Sequence, residues 1–293
     1  MWKEHAPVTL SDFLMHVLSG QTPRARAAVS GTDALRSSTG EDEYQELVRY
    51  QDYRKMFRAA EVTLPAAILR KRAVAKWARD QQVSVDVHSA ADIATVAAAS
   101  IPLSRVTVFA DSLRESELRA AAKLGYGHIV VGTVAQVEVL RSVVVQHEQD
   151  VVIRMSDAGV TLRSVTGAEQ SGFRFDSNES DAAMAAVIGH DRLNLVGLHC
   201  EVGADDDDFI SYPAAIGQMI AEMTQIRRNH GVLLSRLGLG GGRPIPAVTW
   251  LAELRRLATE IDESLDDACG TLRFPRPLVV LSASVAIGGR NAA

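Results

Sequence analysis

Short apolar runs rich in β-branched residues alternate with longer amphipathic stretches along most of the chain. Runs of the first kind are typical of strands, and those of the second kind are typical of helices. Eight short runs predict strands, at residues 61–64, 83–87, 106–109, 128–131, 151–155, 193–199, 234–239 and 278–281. Helical patterns between them include residues 113–123, 134–145, 182–188, 212–229 and 248–261. This alternation predicts βαβ units and a parallel sheet.

The number of predicted strands favours an α/β fold of the (β/α)8 type, a TIM barrel. The chain has 293 residues, close to the ~250 residues typical of that fold. An open doubly wound sheet is the alternative, and it requires no particular number of strands. No helix is predicted after the eighth strand, and the charged stretch 42–59 is predicted to fill that place in the outer ring. Residues 41–293 are therefore assigned to the barrel domain, and residues 1–40 to a short helix at 8–18 followed by a flexible linker at 20–39.

Composition and charge narrow the range of functions. Hydrophobic residues make up 47% of the chain and charged residues 23%, the ordinary balance of a globular protein. The formal net charge of −5 disfavours a nucleic-acid partner, which would require a basic face. No apolar run approaches the ~20 residues of a membrane span, and the N-terminus lacks the pattern of a secretory signal. The two cysteines, Cys200 and Cys269, are far apart and indicate a reducing compartment. These features predict a cytoplasmic protein with neither a nucleic-acid nor a membrane partner.

A run of glycines follows the seventh predicted strand. Gly240, Gly241 and Gly242 come directly before Arg243, and side chains that lack a Cβ leave backbone N–H groups free to face an anion. TIM barrels often bind phosphate after strands seven and eight. The run therefore predicts a phosphate site, with a flexible turn as the alternative.

Polar residues at three other strand ends are candidates for binding. His199 and Glu201 alternate on the sixth strand and should face the same way, although the pattern alone favours a hydrogen-bonded core histidine and a solvated glutamate. Asp86 is either an inward carboxylate or part of the turn before a helix cap at Ser89. Arg154 ends the fifth strand and could hold a carboxylate or phosphate, with a surface ion pair as the commoner alternative.

Neither a metal site nor a catalytic constellation emerges from these residues. The four aspartates at 205–208 lack a spaced partner and are predicted to form a solvated loop. Taken by themselves, the residues indicate a barrel with a phosphate site.

Several segments together resemble diaminopimelate decarboxylases. Residues 197–203 resemble the GLHxHIGS segment of that family, and Gly238 to Gly242 resemble its LGGG turn. Further similarities lie at residues 72–77, 85–89, 117–119, 127–131 and 171–173. The resemblance covers residues 61–284 and implies the alanine racemase-like barrel of the group IV decarboxylases, with pyridoxal 5′-phosphate (PLP) as cofactor. Carried over to this chain, it implies that Asp86, Arg154, His199, Gly240, Gly241 and Gly242 contact the cofactor.

The chain departs from that family at the residues that carry its chemistry. The lysine that binds PLP falls at Ala67, and Lys71 and Lys76 would lie in the following helix. The ring-stacking histidine falls at Glu201, and the glutamate that holds the ring nitrogen falls at Leu281. Two further family residues, a serine and a lysine, fall at Ala204 and Gly172, and the sequence ends where the family's C-terminal β-domain would begin.

These departures predict a degenerate, non-catalytic relative of the PLP-dependent decarboxylases. Such a protein would be a scaffold or partner-binding protein, as a homodimer or as a heterodimer with an active relative. One alternative is an active decarboxylase of the diaminopimelate, ornithine or arginine type with relocated residues. The other is a non-catalytic protein that binds PLP or another phosphorylated small molecule at the glycine run.

Overall fold

The computed structural model of this protein describes residues 38–156, 162–163, 169–170, 172–202, 210–242 and 245–283. The predicted helix at 8–18 lies outside the described residues, as do most of the predicted linker, Ala204, the aspartates at 205–208 and Arg243.

Eight parallel strands close into a barrel. In chain order they are β1 (Glu61–Pro65), β2 (Val85–Val87), β3 (Val106–Phe109), β4 (His128–Val131), β5 (Gln149–Ser156), β9 (Leu193–Val202), β10 (Arg236–Gly241) and β11 (Leu278–Ser282). Hydrogen bonds join them in the order β4-β3-β2-β1-β11-β10-β9-β5, and a further pairing of β4 with β5 closes the ring. The (β/α)8 prediction is therefore confirmed, because a closed ring excludes the open sheet.

Three short strands lie between β5 and β9. The strands β6 (Leu162–Arg163) and β7 (Glu169–Gln170) pair with each other in antiparallel fashion. The third, β8 (Phe173–Arg174), adds to the end of β5 in parallel. They lie outside the ring of eight strands.

The described helices surround the barrel. They are α1 (Ser38–Met56), α2 (Arg72–Asp80), α3 (Ala90–Ala98), α4 (Glu115–Leu124), α5 (Val134–Val143), α6 (Asn178–Ile188), α7 (Tyr212–His230) and α8 (Trp250–Leu272). The prediction that the last of these ends at residue 261 is wrong, because Leu265 and Cys269 continue its buried stripe. It ends where Arg273 adopts a left-handed conformation with φ 50°. None of the described helices is long and apolar enough to cross a bilayer.

Helix α1 occupies the gap in the outer ring between α8 and α2. The guanidinium of Arg49 lies over the Trp250 ring of α8, 5.6 Å from its centroid. On the other side, Tyr50 meets Trp77 of α2 edge-on, with 5.5 Å between ring centroids. The predicted placement of the charged stretch 42–59 in the outer ring is confirmed. Because α1 begins at Ser38, the last residues assigned to the linker are helical.

The barrel interior contains a small cavity with both apolar and polar walls. Phe109, Val130 and Val152 form a separate apolar cluster inside the ring of strands. They also line a cavity of about 30 Å³, whose polar wall includes Thr63, Asp86, His199 and Ser282. This volume suits one or two water molecules. The carboxyl ends of all eight strands meet above it at one mouth, where function resides in this fold.

We predict that Tyr50→Phe lowers the free energy of unfolding by about 1 kcal/mol. The buried Tyr50 hydroxyl donates a 2.8 Å hydrogen bond to the carbonyl of Val62 on β1, and phenylalanine cannot replace that donor. Urea denaturation measures the change. The exposed Gln51→Ala on the same helix is the control and should stay within about 0.5 kcal/mol of wild type. Equal stability of Tyr50→Phe and wild type would show that this contact does not fasten α1 to the barrel.

Candidate functional site at the barrel mouth

Arg154 lies at the centre of the mouth and is almost fully buried, with 2% of its side chain exposed. One terminal nitrogen of its guanidinium pairs with Asp111, in the turn after β3. The other lies 3.0 Å from Glu201 Oε1 on β9. A buried guanidinium requires carboxylate partners of this kind. The alternative of a surface ion pair at Arg154 is therefore wrong.

Glu201 is buried among charged partners. Only 13% of its side chain is exposed, so the expectation of a solvated glutamate is wrong. His199 Nε2 lies 3.1 Å from Glu201 Oε1, which confirms that the two residues share a face of β9. Burial raises the pKa of Glu201, but the charge of Arg154 and the contacts with His199 outweigh it and bring the pKa to about 2. Glu201 is therefore ionised at neutral pH, and His199 donates the hydrogen bond.

Asp86 points into the barrel from β2 and is fully buried. The hydroxyl of Thr63 donates to its carboxyl group, and Ser282 on β11 makes a second side-chain hydrogen bond. Burial raises the pKa of Asp86 to about 7, because desolvation outweighs these two hydrogen bonds. Ser89 caps α3 by accepting from the backbone N–H of Asp92. Asp86 is thus the inward carboxylate, and the helix cap is a separate residue.

Two aromatic contacts connect β2, β3 and β9 near the mouth. His88 stacks on Phe109 with 4.3 Å between ring centroids, and Phe109 meets His199 edge-on at 5.0 Å. Burial lowers the pKa of His88, which favours its neutral form. The sequence alone indicates no role for His88, Phe109 or Asp111. Their positions at the ends of β2 and β3 were the available signal.

The inner face of β10 is a row of glycines covered by the protein's own side chains. A Cβ at Gly238 would lie 2.5 Å from His199 Nδ1, and one at Gly242 would lie 2.5 Å from the Tyr212 hydroxyl. At Gly240 it would lie 2.5–2.6 Å from three atoms of the Glu201 carboxylate group. With these side chains in place, a Cβ at any of the three positions would force one of them to move.

The glycine run is less open to an anion than the sequence predicts. Gly240 and Gly241 belong to β10 and pair with Glu201 and Val202 of β9. Gly242 has a φ of 99°, and its N–H donates a 2.6 Å hydrogen bond to the carbonyl of Val202. The prediction of a free N–H group is therefore wrong for Gly242.

The structure also corrects one assignment made by resemblance. Ser282 and Val280 line the internal cavity, whereas Leu281 packs in the outer hydrophobic core. The inward position at the end of β11 is therefore Ser282 and not Leu281. Successive strand residues face opposite sides, so an offset of one residue reverses the direction of the side chain. At either position the chain lacks a carboxylate.

Ala67 lies in the short 3-10 turn Ala66–Arg70 directly after β1, and it is exposed. A methyl group thus stands at the mouth end of this strand. The ammonium group of Lys71 lies 2.5 Å from Glu46 of α1, and that of Lys76 lies 2.7 Å from Asp80 on the same helix. Both lysines are held by carboxylates of the outer ring.

Comparison with known proteins agrees with the resemblance. The pyridoxal-binding domain of pyridoxal-dependent decarboxylases matches residues 46–281. The diaminopimelate decarboxylase of Actinosynnema pretiosum is 29% identical over 257 residues, which cover 85% of this chain and 57% of the relative. That of Bacillus subtilis is 26% identical over 247 residues, covering 78% and 56%. The chain thus spans little more than half the length of these relatives.

Solved structures share the fold. A diaminopimelate decarboxylase from M. jannaschii superposes with a TM-score of 0.68 at 15% identity, covering 83% of this chain and 60% of the other. A lysine/ornithine decarboxylase from Vibrio vulnificus, complexed with cadaverine, gives 0.62 at 16% identity, covering 84% and 62%. A variant of SrLDC in complex with PLP gives 0.62 at 17% identity, covering 83% and 61%. These structures show the fold, and the matched family model, a pyridoxal-binding domain, implies PLP as the cofactor.

The described residues do not fit PLP. The position after β1 offers a methyl group in place of an amine, and the inward position of β11 offers the Ser282 hydroxyl in place of a carboxylate. The face of β10 is filled by His199, Glu201 and Tyr212. An ionised carboxylate on that face would repel a phosphate group. In the described part of the mouth, two carboxylates, Asp111 and Glu201, share the guanidinium of Arg154.

We predict that the effect of Asp86→Asn on stability depends on pH. The pKa of Asp86 is higher in the folded protein than in the unfolded chain, so its contribution to stability is present in acid and is lost as the pH rises towards 7. The asparagine that replaces it does not titrate. The stability of the variant relative to wild type should therefore improve by at least about 1 kcal/mol between acidic and alkaline conditions.

Urea unfolding of both proteins at about pH 5 and about pH 8 measures this difference, since these values lie on either side of the raised pKa. Glu179→Gln, which removes an exposed carboxylate on α6, is the control for loss of a surface charge. A constant gap between wild type and Asp86→Asn would contradict a protonated Asp86.

Proposed function

This chain belongs to the family of pyridoxal-dependent decarboxylases, whose pyridoxal-binding domain it shares, and from that premise we propose that it is a non-catalytic member that acts by binding a partner. The observation that carries the proposal is that, among the described residues, no lysine lines the interior of the barrel mouth. Lys71, at the carboxyl end of the barrel just after β1, directs its ammonium group to Glu46 of α1 instead. Decarboxylation on PLP requires an amine to hold the cofactor and a group that keeps the ring nitrogen protonated.

The scarcity of lysine strengthens this argument. The chain contains five lysines, of which Lys3 lies outside the described residues. Lys55 and Lys123 are exposed in the last turns of α1 and α4. Lys71 and Lys76 are paired with carboxylates of the outer helices. These positions oppose the alternative of an active enzyme with a relocated lysine.

The buried charges oppose the second alternative, a site for a phosphorylated small molecule. Glu201 lies against Gly240 and is ionised at neutral pH. Arg154, the cation that a phosphate would seek, already contacts Asp111 and Glu201. A phosphate would have to displace a carboxylate to reach it.

Exposed apolar side chains on the mouth side support a partner surface. Val248 is 94% exposed in the turn before α8, and Leu251 is 54% exposed in its first turn. Both follow β10 and therefore lie at the carboxyl end of the barrel. We propose that this rim contacts a second copy of this chain or an active relative. The buried thiols of Cys200 and Cys269 are in keeping with the proposed cytoplasmic location.

We predict that the purified protein neither fixes PLP nor releases CO2. After incubation with PLP, its absorbance spectrum should lack the band of a lysine-bound pyridoxal, and borohydride should fix no cofactor at the barrel mouth. Peptide mass spectrometry locates any reduced adduct, and CO2 release is measured with diaminopimelate, ornithine, arginine and lysine. The Bacillus subtilis relative, treated in the same way, is the positive control. CO2 release that disappears on replacing any one of the lysines by alanine would overturn the proposal.

We predict that the rim of the mouth carries the partner contact. The double variant Val248→Glu/Leu251→Glu should weaken self-association, or association with a diaminopimelate decarboxylase, at least about tenfold, since it places charge in an apolar contact. Light scattering and co-elution measure the complexes. The matched control is Val145→Glu/Leu233→Glu, which changes two exposed apolar residues at the opposite end of the barrel. A monomer that binds no relative, or equal losses in both double variants, would contradict this rim as the contact.

A further inference from the structure

We propose that the carboxylate of Glu201 is the resident oxyanion of the barrel mouth, held between Arg154 and the glycine face of β10 where an external anion would otherwise bind. This inference rests on the proposed non-catalytic function and deepens it. It states what fills the site and which chemical class of ligand would replace it.

The shape of the mouth is the first argument. Gly238 and Gly240 lie on one face of β10 and Gly242 directly follows that strand, and each of the three is covered by a side chain from elsewhere in the chain. Gly240 receives the carboxylate itself, with both oxygens and the carbon at 2.5–2.6 Å from the position of a Cβ. A Cβ at Gly240 would therefore force the carboxylate to leave this position. The face is therefore shaped around Glu201.

The charges are the second argument. Glu201 accepts from His199 Nε2 at 3.1 Å and pairs with Arg154 at 3.0 Å, so the bonds of an anion site are already made. The guanidinium is nearly inaccessible to water and cannot exchange a lost carboxylate for hydration. Loss of Glu201 would thus leave Arg154 with less negative charge around it, and an empty space beside it.

These two arguments identify the ligand class. The vacated space would have the size of a carboxylate group, and a guanidinium recognises the planar carboxylate with matching geometry. Small carboxylates, formate and acetate, are therefore the ligands that the site would take in place of Glu201. Phosphate is larger and carries more charge, and it serves as a separate probe.

The test is chemical rescue of Glu201→Ala. Its melting temperature should be roughly 5–10 °C below that of wild type, because a buried pair is broken. Sodium acetate or formate at about 100 mM should recover several degrees in a saturable way, since a ligand of the folded state stabilises it. Sodium chloride at equal ionic strength should not. Wild type should not respond to acetate beyond the effect of chloride.

Two further variants separate charge from space. Glu201→Gln fills the space without charge, and it should be destabilised and gain nothing from acetate. Gly240→Ala should lower the melting temperature of wild type but cost much less in the Glu201→Ala background, where the space is empty. Gly217→Ala is the matched control, because a Cβ there meets nothing within 4 Å. If Glu201→Ala does not fold even in acetate, the effect of Gly240→Ala on the melting temperature of wild type decides whether the inference stands.

The outcomes distinguish this inference from the proposed function. Glu201→Ala as stable as wild type, equal acetate effects on both proteins, or a harmless Gly240→Ala would overturn the resident anion, whether or not the protein binds a partner. CO2 release by wild type would overturn the proposed function and this inference with it. Rescue by acetate but not by phosphate supports the carboxylate class, whereas rescue by phosphate alone would overturn that class.

Discussion

The guanidinium of Arg154 is buried where the strand ends converge, and a buried positive charge is stable only with negative charge beside it. Asp111 and Glu201 supply that charge from the strand ends on either side. The carboxylate of Glu201 in turn requires the absence of a Cβ at Gly240, and it accepts a hydrogen bond from His199. The arrangement of the mouth is thus a consequence of one buried cation.

In this chain the family's barrel is kept although the residues at its mouth differ from those that the family resemblance implies. The chain keeps the barrel of the pyridoxal-dependent decarboxylases, with its polar residues still at the carboxyl ends of the strands. The space over Gly238 and Gly240 of β10 is filled by side chains, and Ala67, with only a methyl group, lies in the turn just after β1. A barrel tolerates such changes because the helices and the outer faces of its strands carry its stability, while the loops and strand ends carry its function.

The fold was predictable because it depends on periodicity, and the strands β3 and β4 match their predicted bounds. The candidate site was less predictable from the sequence. Nothing in the spacing of Asp111, Arg154 and Glu201 reveals that they meet, since only closure of the barrel brings them together. The difference between a surface ion pair and a buried one depends on that closure. At the end of β11, the resemblance assigned the inward position to Leu281, whereas the alternation of side chains along the strand gives it to Ser282. An alignment by resemblance does not record which way a side chain points.

The position of α1 affects how the barrel forms. This helix precedes β1 but packs against α8, and β1 itself pairs with β11. Contacts between residues so distant along the chain are slow to form, because a long loop must close before they stabilise anything. During synthesis, α1 and β1 emerge from the ribosome well before these neighbours. Their apolar faces therefore remain exposed to solvent until the last segment of the barrel has been synthesised and has closed the ring.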